Sequence, residues 1–458
     1  MTLRSSFRVT PLILTLAGPA AAETLPSALA KAYAGNPSLN AERASLRATD
    51  ENVPRALSGY RPTIAASASA GATYETGRTG VAGTGGNFRG GLFPRQAGLQ
   101  VTQNLFNGFR TTNSVREAES GVLAARETLR ETEQVTLFGG AQTYMDVLRD
   151  TAILDLQRNN VEVLEEQLRQ TRERFVAGEI TRTDVAQAEA RLAASRSQAS
   201  LAEANLQASI AAYRRVVGAD PRQLAPGMPP DRLVPATLAN AVRIALAEHP
   251  AVAAALHAVD AAELQVKVVE GALAPSVDLV GTLGGGYDAQ SAGDRTVSAA
   301  FATQLTVPLY EGGETYARVR QAKEIAGQRR IEAEAARDAV RAAVVSAWGS
   351  LESAKATVIA AQAQVAASEV ALRGVREEAR VGQRTTLDVL NQQQELLVAR
   401  VNLIVSQRDR VVSAYSVVQS VGRLSASSLG LAVRRYRAGE HYDQVRDLPW
   451  GLLTPDGR

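Results

Sequence analysis

The stretch RFVAGEITRTDVAQAEARL, residues 174–192, is repeated in a recognisable form as EARVGQRTTLDVLNQQQEL, residues 378–396. A glycine, a threonine and an aspartate occupy matching positions in the two stretches: Gly178 and Gly382, Thr181 and Thr385, Asp184 and Asp388. The residues around each glycine are mostly good helix formers, whereas glycine itself favours turns. The sequence therefore predicts two similar turns, each of which connects two helices.

The repeat extends over most of the 458 residues. LQVTQNLFNGF (99–109) matches TQLTVPLYEGG (303–313), and LPSALAKAYAGNPSL (25–39) matches LANAVRIALAEHPAV (238–252). The spacing between the copies changes within a Gly-rich segment between residues 74 and 99, as expected for an insertion in an exposed loop. We predict five segments: a signal peptide at 1–22, a first repeat at 23–222, a Pro-rich linker at 223–237, a second repeat at 238–425 and a C-terminal tail at 426–458.

The N-terminus has the features of a secretory signal peptide. Arg4 and Arg8 precede a short apolar run, and three alanines that end at Ala22 form the A-x-A pattern of a cleavage site. A buried N-terminal helix is the alternative interpretation. No later segment has the ~18 uninterrupted apolar residues of a membrane-spanning helix. We therefore expect an exported protein.

The composition argues against several classes of function. The chain has no cysteine, so thiolate metal sites and thiol nucleophiles are excluded. It has only 3 histidines, which are few for a metal site or an acid–base centre. Its formal net charge is +3, and the charges are scattered, which does not indicate a nucleic-acid surface. We predict no cofactor, no metal, no nucleic-acid partner and no enzymatic activity.

Four segments alternate between apolar and small polar side chains with a period of two. They form two predicted β-hairpins, at about 63–105 and about 276–307. In the first, Ile64, Ala66 and Ala68 alternate with Thr63, Ser67 and Ser69. Alternation of this kind is typical of strands with one apolar face, including those of transmembrane barrels. Two hairpins packed on a soluble core are the alternative.

Long helices follow each predicted β-hairpin. No proline occurs between Pro94 and Pro221, or between Pro308 and Pro449, and a helix of ~65 residues would be ~100 Å long. The predicted fold is mainly α, with tandem-duplicated long helical hairpins and a small β part. Four strands cannot close a barrel, which needs about eight, and lipid does not tolerate open sheet edges. If the strands lie in a membrane, three chains would share one twelve-stranded β-barrel, continued by an α-barrel of helices.

The duplicated unit also resembles the TolC family of outer-membrane channel proteins. The motifs NLFNGF, VPLYEGG and VGQRTTLDVLNQQQ carry the resemblance, which covers about residues 23–425. It implies a homotrimer in the outer membrane of a Gram-negative bacterium, with its helical part in the periplasm. It further implies that a periplasmic adaptor protein and an inner-membrane ABC or RND transporter deliver substrates for multidrug efflux or type I secretion. A soluble periplasmic coiled-coil adaptor is the main rival hypothesis.

The resemblance also implies roles for residues near the two glycines. Asp388 would form a ring at the pore constriction, where the next acidic position of the motif is Asn391. Arg384 would link neighbouring hairpins through Asp184 and thereby hold the channel closed. A simple Arg384–Asp388 pair on an exposed helix is the alternative. The turn positions would also contact the adaptor, although the turn alone is sufficient reason for their residue types: Gly178, Thr181, Gly382 and Thr385.

Overall fold

A computed structural model describes residues 22–78, 87–289 and 291–457 of the chain. The predicted signal peptide lies outside these residues except for Ala22, and so does the middle of the Gly-rich segment. No helix within the described ranges is both long and apolar enough to cross a membrane.

Ten α-helices occur in the part of the chain that the structure describes. They are α1 (Leu25–Gly35), α2 (Pro37–Asp50), α3 (Asn52–Leu57), α4 (Arg110–Val176), α5 (Arg182–Val217), α6 (Leu238–Glu248), α7 (Pro250–Glu270), α8 (Glu314–Arg380), α9 (Thr386–Ser420) and α10 (Glu440–Val445). The duplication is visible in their lengths, because α4 and α8 each contain 67 residues. At 1.5 Å per residue each is ~100 Å long.

Four strands form one antiparallel sheet between the helices. They are β1 (Thr63–Ala70), β4 (Arg95–Phe106), β5 (Ser276–Tyr287) and β6 (Arg295–Thr306), in the order β1-β4-β5-β6. β4 and β5 therefore join the two repeats, and β1 and β6 are the edges of the sheet within the described chain. The mainly helical fold with a small β part, predicted above, is confirmed.

The register of the sheet separates its two faces. Ile64 pairs with Val101, Leu99 with Leu283, and Leu283 with Ala299, so the apolar side chains of all four strands share one face. The opposite face carries the small and polar side chains, and on it the Asn104 amide donates to the Asp278 carboxylate at 2.8 Å. Four strands thus present one continuous apolar face.

The first β-hairpin, predicted at about 63–105 with a Gly-rich loop between residues 74 and 99, differs in part from the structure. β1 ends at Ala70, and a separate two-stranded ribbon is formed by β2 (Thr73–Arg78) and β3 (Asn87–Leu92). Gly71 and Ala72 interrupt the alternation because they leave the ladder, with Gly71 N–H donating to the Pro94 carbonyl at 3.0 Å. Gly77, Gly90 and Gly91 were mistaken for a loop signal, although each of them is paired in the antiparallel ribbon.

The helices pack as two hairpins that share a partner. α4 packs along α5 in the first repeat, and α8 packs along α9 in the second. α7 contacts both α4 and α8, so it joins the hairpins near the sheet. Two of the hydrophobic clusters lie where these helices meet the short α1 and α6, around Tyr144 and Tyr213 in one and Val344 and Leu351 in the other.

The C-terminal tail packs along the first repeat. Ala426 and Leu431 are buried in the cluster that contains Tyr144, together with Leu424 from the end of the second repeat. Farther along, the His441 ring lies 3.1 Å from the Asp50 carboxylate, and Arg61 donates to the Leu448 carbonyl at 3.0 Å. The tail therefore runs beside α2 towards the start of β1.

The two repeats cap equivalent helices with different residues. In the first, the Asn36 side chain accepts hydrogen bonds from Ser38 N and Leu39 N at 2.9 and 3.1 Å, before the proline that begins α2. In the second, His249 Nδ1 accepts from Ala251 N at 3.2 Å, before the proline that begins α7. The acceptor nitrogen must be unprotonated, and burial together with the nearby Arg130 charge lowers the pKa of His249 to about 4.

We expect His249→Asn to make the protein more resistant to acid. The folded pKa of His249 lies below the ordinary value of 6.5, so the unfolded chain binds the proton first and stability falls as pH decreases from about 7 to about 4. The loss is roughly 3 kcal/mol per chain. Asparagine keeps the cap, as Asn36 does, but does not titrate. Between pH 7 and pH 4 the thermal unfolding temperature should decrease less for the variant than for the wild type. Equal decreases would contradict the assignment of His249 as an unprotonated helix cap.

Candidate functional site: the two hairpin tips

Each long helix ends in a glycine turn with the same backbone conformation. Gly178 has φ +77° and Gly382 has φ +78°, a left-handed conformation that side chains disfavour. After the first turn, Glu179 N donates to the Arg174 carbonyl at 3.0 Å; after the second, Gln383 N donates to the Glu378 carbonyl at 2.9 Å. These bonds satisfy carbonyls at the helix C-terminus, so the repeated glycines close two equivalent turns.

A threonine and an aspartate then begin each returning helix. Thr181 Oγ1 accepts from Asp184 N at 3.3 Å, while Thr181 N donates to the Asp184 carboxylate at 2.9 Å. Thr385 and Asp388 form the same capping box, with distances of 3.2 and 2.9 Å. Asp184 and Asp388 thus bind orphan N–H groups at helix N-termini. Sequence reasoning placed the threonines in the turns but gave the aspartates no part in them.

Both aspartates remain charged at neutral pH. The pKa of Asp184 lies below its ordinary value because it accepts hydrogen bonds from the Thr181 hydroxyl and backbone N–H, with a smaller contribution from the Arg174 charge. The pKa of Asp388 is lowered by the backbone N–H and hydroxyl of Thr385, and to a smaller extent by Arg384. Each capping box therefore carries one partly exposed negative charge in a fixed position.

One ion pair spans each turn, and the order of the two charges along the chain is reversed between the first turn and the second. In the first tip Arg174 Nε lies 3.0 Å from Glu179 Oε2, whereas in the second Arg384 Nε lies 2.8 Å from Glu378 Oε2. Glu378 is the repeat counterpart of Arg174. Within this chain Arg384 thus pairs with Glu378, and the i,i+4 pair with Asp388, considered above, is not formed. Arg384 and Asp184 are not in contact within one chain either.

The contact that joins the two tips involves a residue that sequence reasoning missed. Arg191 Nη2 donates to the Asn391 side-chain oxygen at 2.8 Å. One residue earlier on α9, Leu390 is buried among Leu164, Leu168 and Leu192 of the first hairpin. Comparison of the two repeats could have drawn attention to Arg191, because its counterpart in the second copy is Glu395, a residue of opposite charge. α9 is therefore fixed to the first hairpin at the level of the tips.

Comparison with known proteins identifies the family. The model for outer membrane efflux proteins matches residues 28–219 and 241–423, which are the greater part of both repeats. The chain belongs to the outer membrane efflux protein family. It is 42% identical to the outer membrane efflux protein BepC of Brucella suis, over 97% of this chain and 95% of that protein. It is 25% identical to the outer membrane protein TolC of Escherichia coli, over 84% of this chain and 81% of that protein.

The fold agrees with this membership. The CmeC outer membrane channel of Campylobacter jejuni superimposes with a TM-score of 0.78, covering 92% of this chain and 89% of CmeC at 17% sequence identity. The family model and the two relatives confirm the predicted resemblance to the TolC family. This family member is an outer-membrane channel for efflux or type I secretion, rather than the soluble periplasmic adaptor considered as the rival. Its relatives are channel proteins rather than enzymes.

Proposed function

We propose that three copies of this chain assemble into one channel. Twelve strands form a β-barrel in the outer membrane, and the helical hairpins form an α-barrel that extends from it into the periplasm. The observation that carries this proposal is the four-stranded sheet, which has one continuous apolar face and two unpaired edges, β1 and β6, within the described chain. In lipid such edges must be paired, and a neighbouring copy supplies the partner.

The absence of cysteine offers a direct test of the trimer. The chain contains 0 cysteines, so every disulfide must come from introduced residues. Ala66→Cys on β1 can be combined in turn with cysteine at Val297, Ala299 or Phe301 on β6. We expect one register to give disulfide-linked dimers and trimers under mild oxidation. The single variants serve as controls. Monomers alone in every combination, from protein shown to be folded, would contradict the closed barrel.

The hairpin tips are proposed to form the periplasmic gate. Asp388 and Asn391 would surround the constriction, where three fixed carboxylates attract cations and repel anions. Arg384 would reach Asp184 of a neighbouring hairpin and would exchange for it the local pair that it forms with Glu378 in the single chain. The turns at Gly178, Thr181, Gly382 and Thr385 would contact the adaptor. Cargo would come from an inner-membrane ABC or RND transporter through that adaptor.

We expect Arg384→Ala to open the gate and raise single-channel conductance severalfold. Arg384 is the cation that we propose bridges to Asp184 of a neighbouring hairpin. Its removal would break that bridge, whereas its local partner Glu378 takes no part in the link between hairpins. Arg380→Ala is the matched control, because Arg380 is paired with Glu377 at 2.8 Å within the last turn of α8. Single-channel conductance in planar bilayers is measured for both variants, and we expect it to rise for Arg384→Ala but not for Arg380→Ala. Equal conductance of Arg384→Ala and wild type would leave Arg384 as a local brace of its own turn.

A further inference from the structure

The four-stranded sheet ends, on the side away from the helices, in one row of residues. Arg95 of β4 pairs with Ala70 of β1 and with Tyr287 of β5, and Tyr287 pairs with Arg295 of β6. No register pair of the sheet lies beyond this row in the described residues. Two arginines thus flank one tyrosine at the outer end of the strands.

This row belongs to the apolar face of the sheet. The next row on the same face consists of Ala68, Ala97, Gly285 and Val297. Further along the same face lie Leu99, Leu283 and Ala299. The two guanidinium groups therefore stand at the edge of the apolar surface, where the proposed barrel would emerge from the outer leaflet of the membrane.

Both guanidinium groups lie near the same aromatic ring. The Arg95 Cζ is 4.9 Å from the centre of the Tyr287 ring, and the Arg295 Cζ is 5.7 Å from it. Contact with a ring face orients a guanidinium without using its N–H donors. The Arg95 side chain is 62% exposed, so most of its donors remain accessible.

The row has an excess of positive charge. Arg95 Nη2 lies 3.7 Å from the Asp288 carboxylate, a long and partly exposed pair. Among residues 22–78, 87–289 and 291–457, no carboxylate lies within ion-pair distance of Arg295. Of the two arginines, Arg95 thus has a carboxylate within ion-pair distance, whereas Arg295 borders an apolar surface without one in the described residues. A ligand that matches this arrangement carries a phosphate next to a hydrocarbon group.

We propose that Arg95, Tyr287 and Arg295 bind the phosphate of a phosphorylated lipid in the outer leaflet. This inference rests on the proposed membrane barrel. The planar guanidinium groups can donate two parallel hydrogen bonds to phosphate oxygens, and the row of small and branched residues below them can contact the acyl chains. A free phosphate ion would gain the first interaction but not the second. The ligand is therefore a lipid rather than an inorganic ion.

The test uses the full-length purified protein, in samples that have first been shown to conduct in planar bilayers. Binding of lipid A with two phosphates is measured by native mass spectrometry in detergent, alongside dephosphorylated lipid A and inorganic phosphate. We expect wild-type protein to bind lipid A at least ten times more tightly than the double variant Arg95→Gln/Arg295→Gln. Dephosphorylated lipid A should bind wild type as weakly as intact lipid A binds the double variant.

Two further variants provide a surface control and a comparison of ring stacking with charge. Arg341→Gln removes an arginine of similar exposure from the surface of α8, where its side chain is 56% exposed, and should leave lipid A binding unchanged. Arg95→Lys/Arg295→Lys keeps the charge but loses planar stacking, so we expect an intermediate affinity. Equal binding of lipid A by wild type and the Gln double variant would overturn the inference. Displacement of lipid A by equimolar inorganic phosphate would overturn the assignment to a lipid.

The two proposals fail in different ways. Protein that conducts but binds lipid A independently of Arg95 and Arg295 contradicts the lipid site alone. Folded protein that does not conduct contradicts the proposed channel, whatever lipids it binds.

Discussion

Gly108→Ala should prevent the protein from folding normally, whereas Gly312→Ala should be mild. Both glycines follow a strand of the sheet and precede a long helix, and their φ angles are +67° and +65°. The surroundings differ. A Cβ at Gly108 would collide with the Gly271 carbonyl oxygen and would lie 2.6 Å from Ala274 Cβ, whereas a Cβ at Gly312 would meet nothing within 4 Å.

The expected magnitudes follow from this contrast. At Gly312 an added methyl group costs only the left-handed backbone strain, ~1–2 kcal/mol. At Gly108 a clash with backbone is added, and the total cost is roughly 2–5 kcal/mol per chain. Thermal unfolding by circular dichroism in detergent, together with the yield of folded protein, measures both. Similar unfolding temperatures for the two variants would show that the joint between α4 and the turn before β5 is looser than the structure indicates.

Phe301→Lys should abolish stable insertion into the outer membrane, whereas Ala300→Lys should be tolerated. Phe301 lies near the middle of β6, and its side chain, 76% exposed in one chain, belongs to the apolar face. Ala300 is its neighbour on the polar face, opposite Thr282. A lysine near the bilayer midplane costs ~2–4 kcal/mol per chain, and a trimer bears that cost three times. A lysine on the water-filled side costs little.

Membrane fractionation and urea titration of bilayer-inserted protein measure this difference. The matched pair is informative because the two substitutions are adjacent in sequence and identical in chemistry. We expect Phe301→Lys to remain in the soluble or aggregated fraction. Equal insertion of both variants would mean that the apolar face does not contact lipid.

Much of the architecture could be predicted because the chain encodes it twice. The shared positions of Gly178 and Gly382 fix both turns, and the alternation around Ile64 and Phe301 marks the strand faces. Local patterns are sufficient where backbone conformation or water exclusion determines the residue type. The β2–β3 ribbon was missed because its glycines resemble a loop and its pairing depends on partners nine or more positions apart in sequence.

The contacts between hairpins could not be predicted from local patterns. Whether Arg384 pairs with Glu378, Asp388 or Asp184 depends on how a long side chain is oriented in three dimensions. Glu378 and Asp388 are near Arg384 in the sequence, whereas Asp184 belongs to the other hairpin. The Arg191–Asn391 contact joins residues 200 positions apart. The Arg95–Tyr287–Arg295 row likewise depends on the register of three strands from both repeats.

Single-channel recording of the purified protein in a planar lipid bilayer tests the central claim most directly. With a salt gradient across the membrane, the account predicts a stable pore that selects weakly for cations, because the proposed constriction has one ring of Asp388 carboxylates and Asn391 adds no charge. Asp388→Asn should remove that selectivity while Arg380→Ala retains it. Folded protein that gives no pore would contradict the assignment of this chain as an export channel.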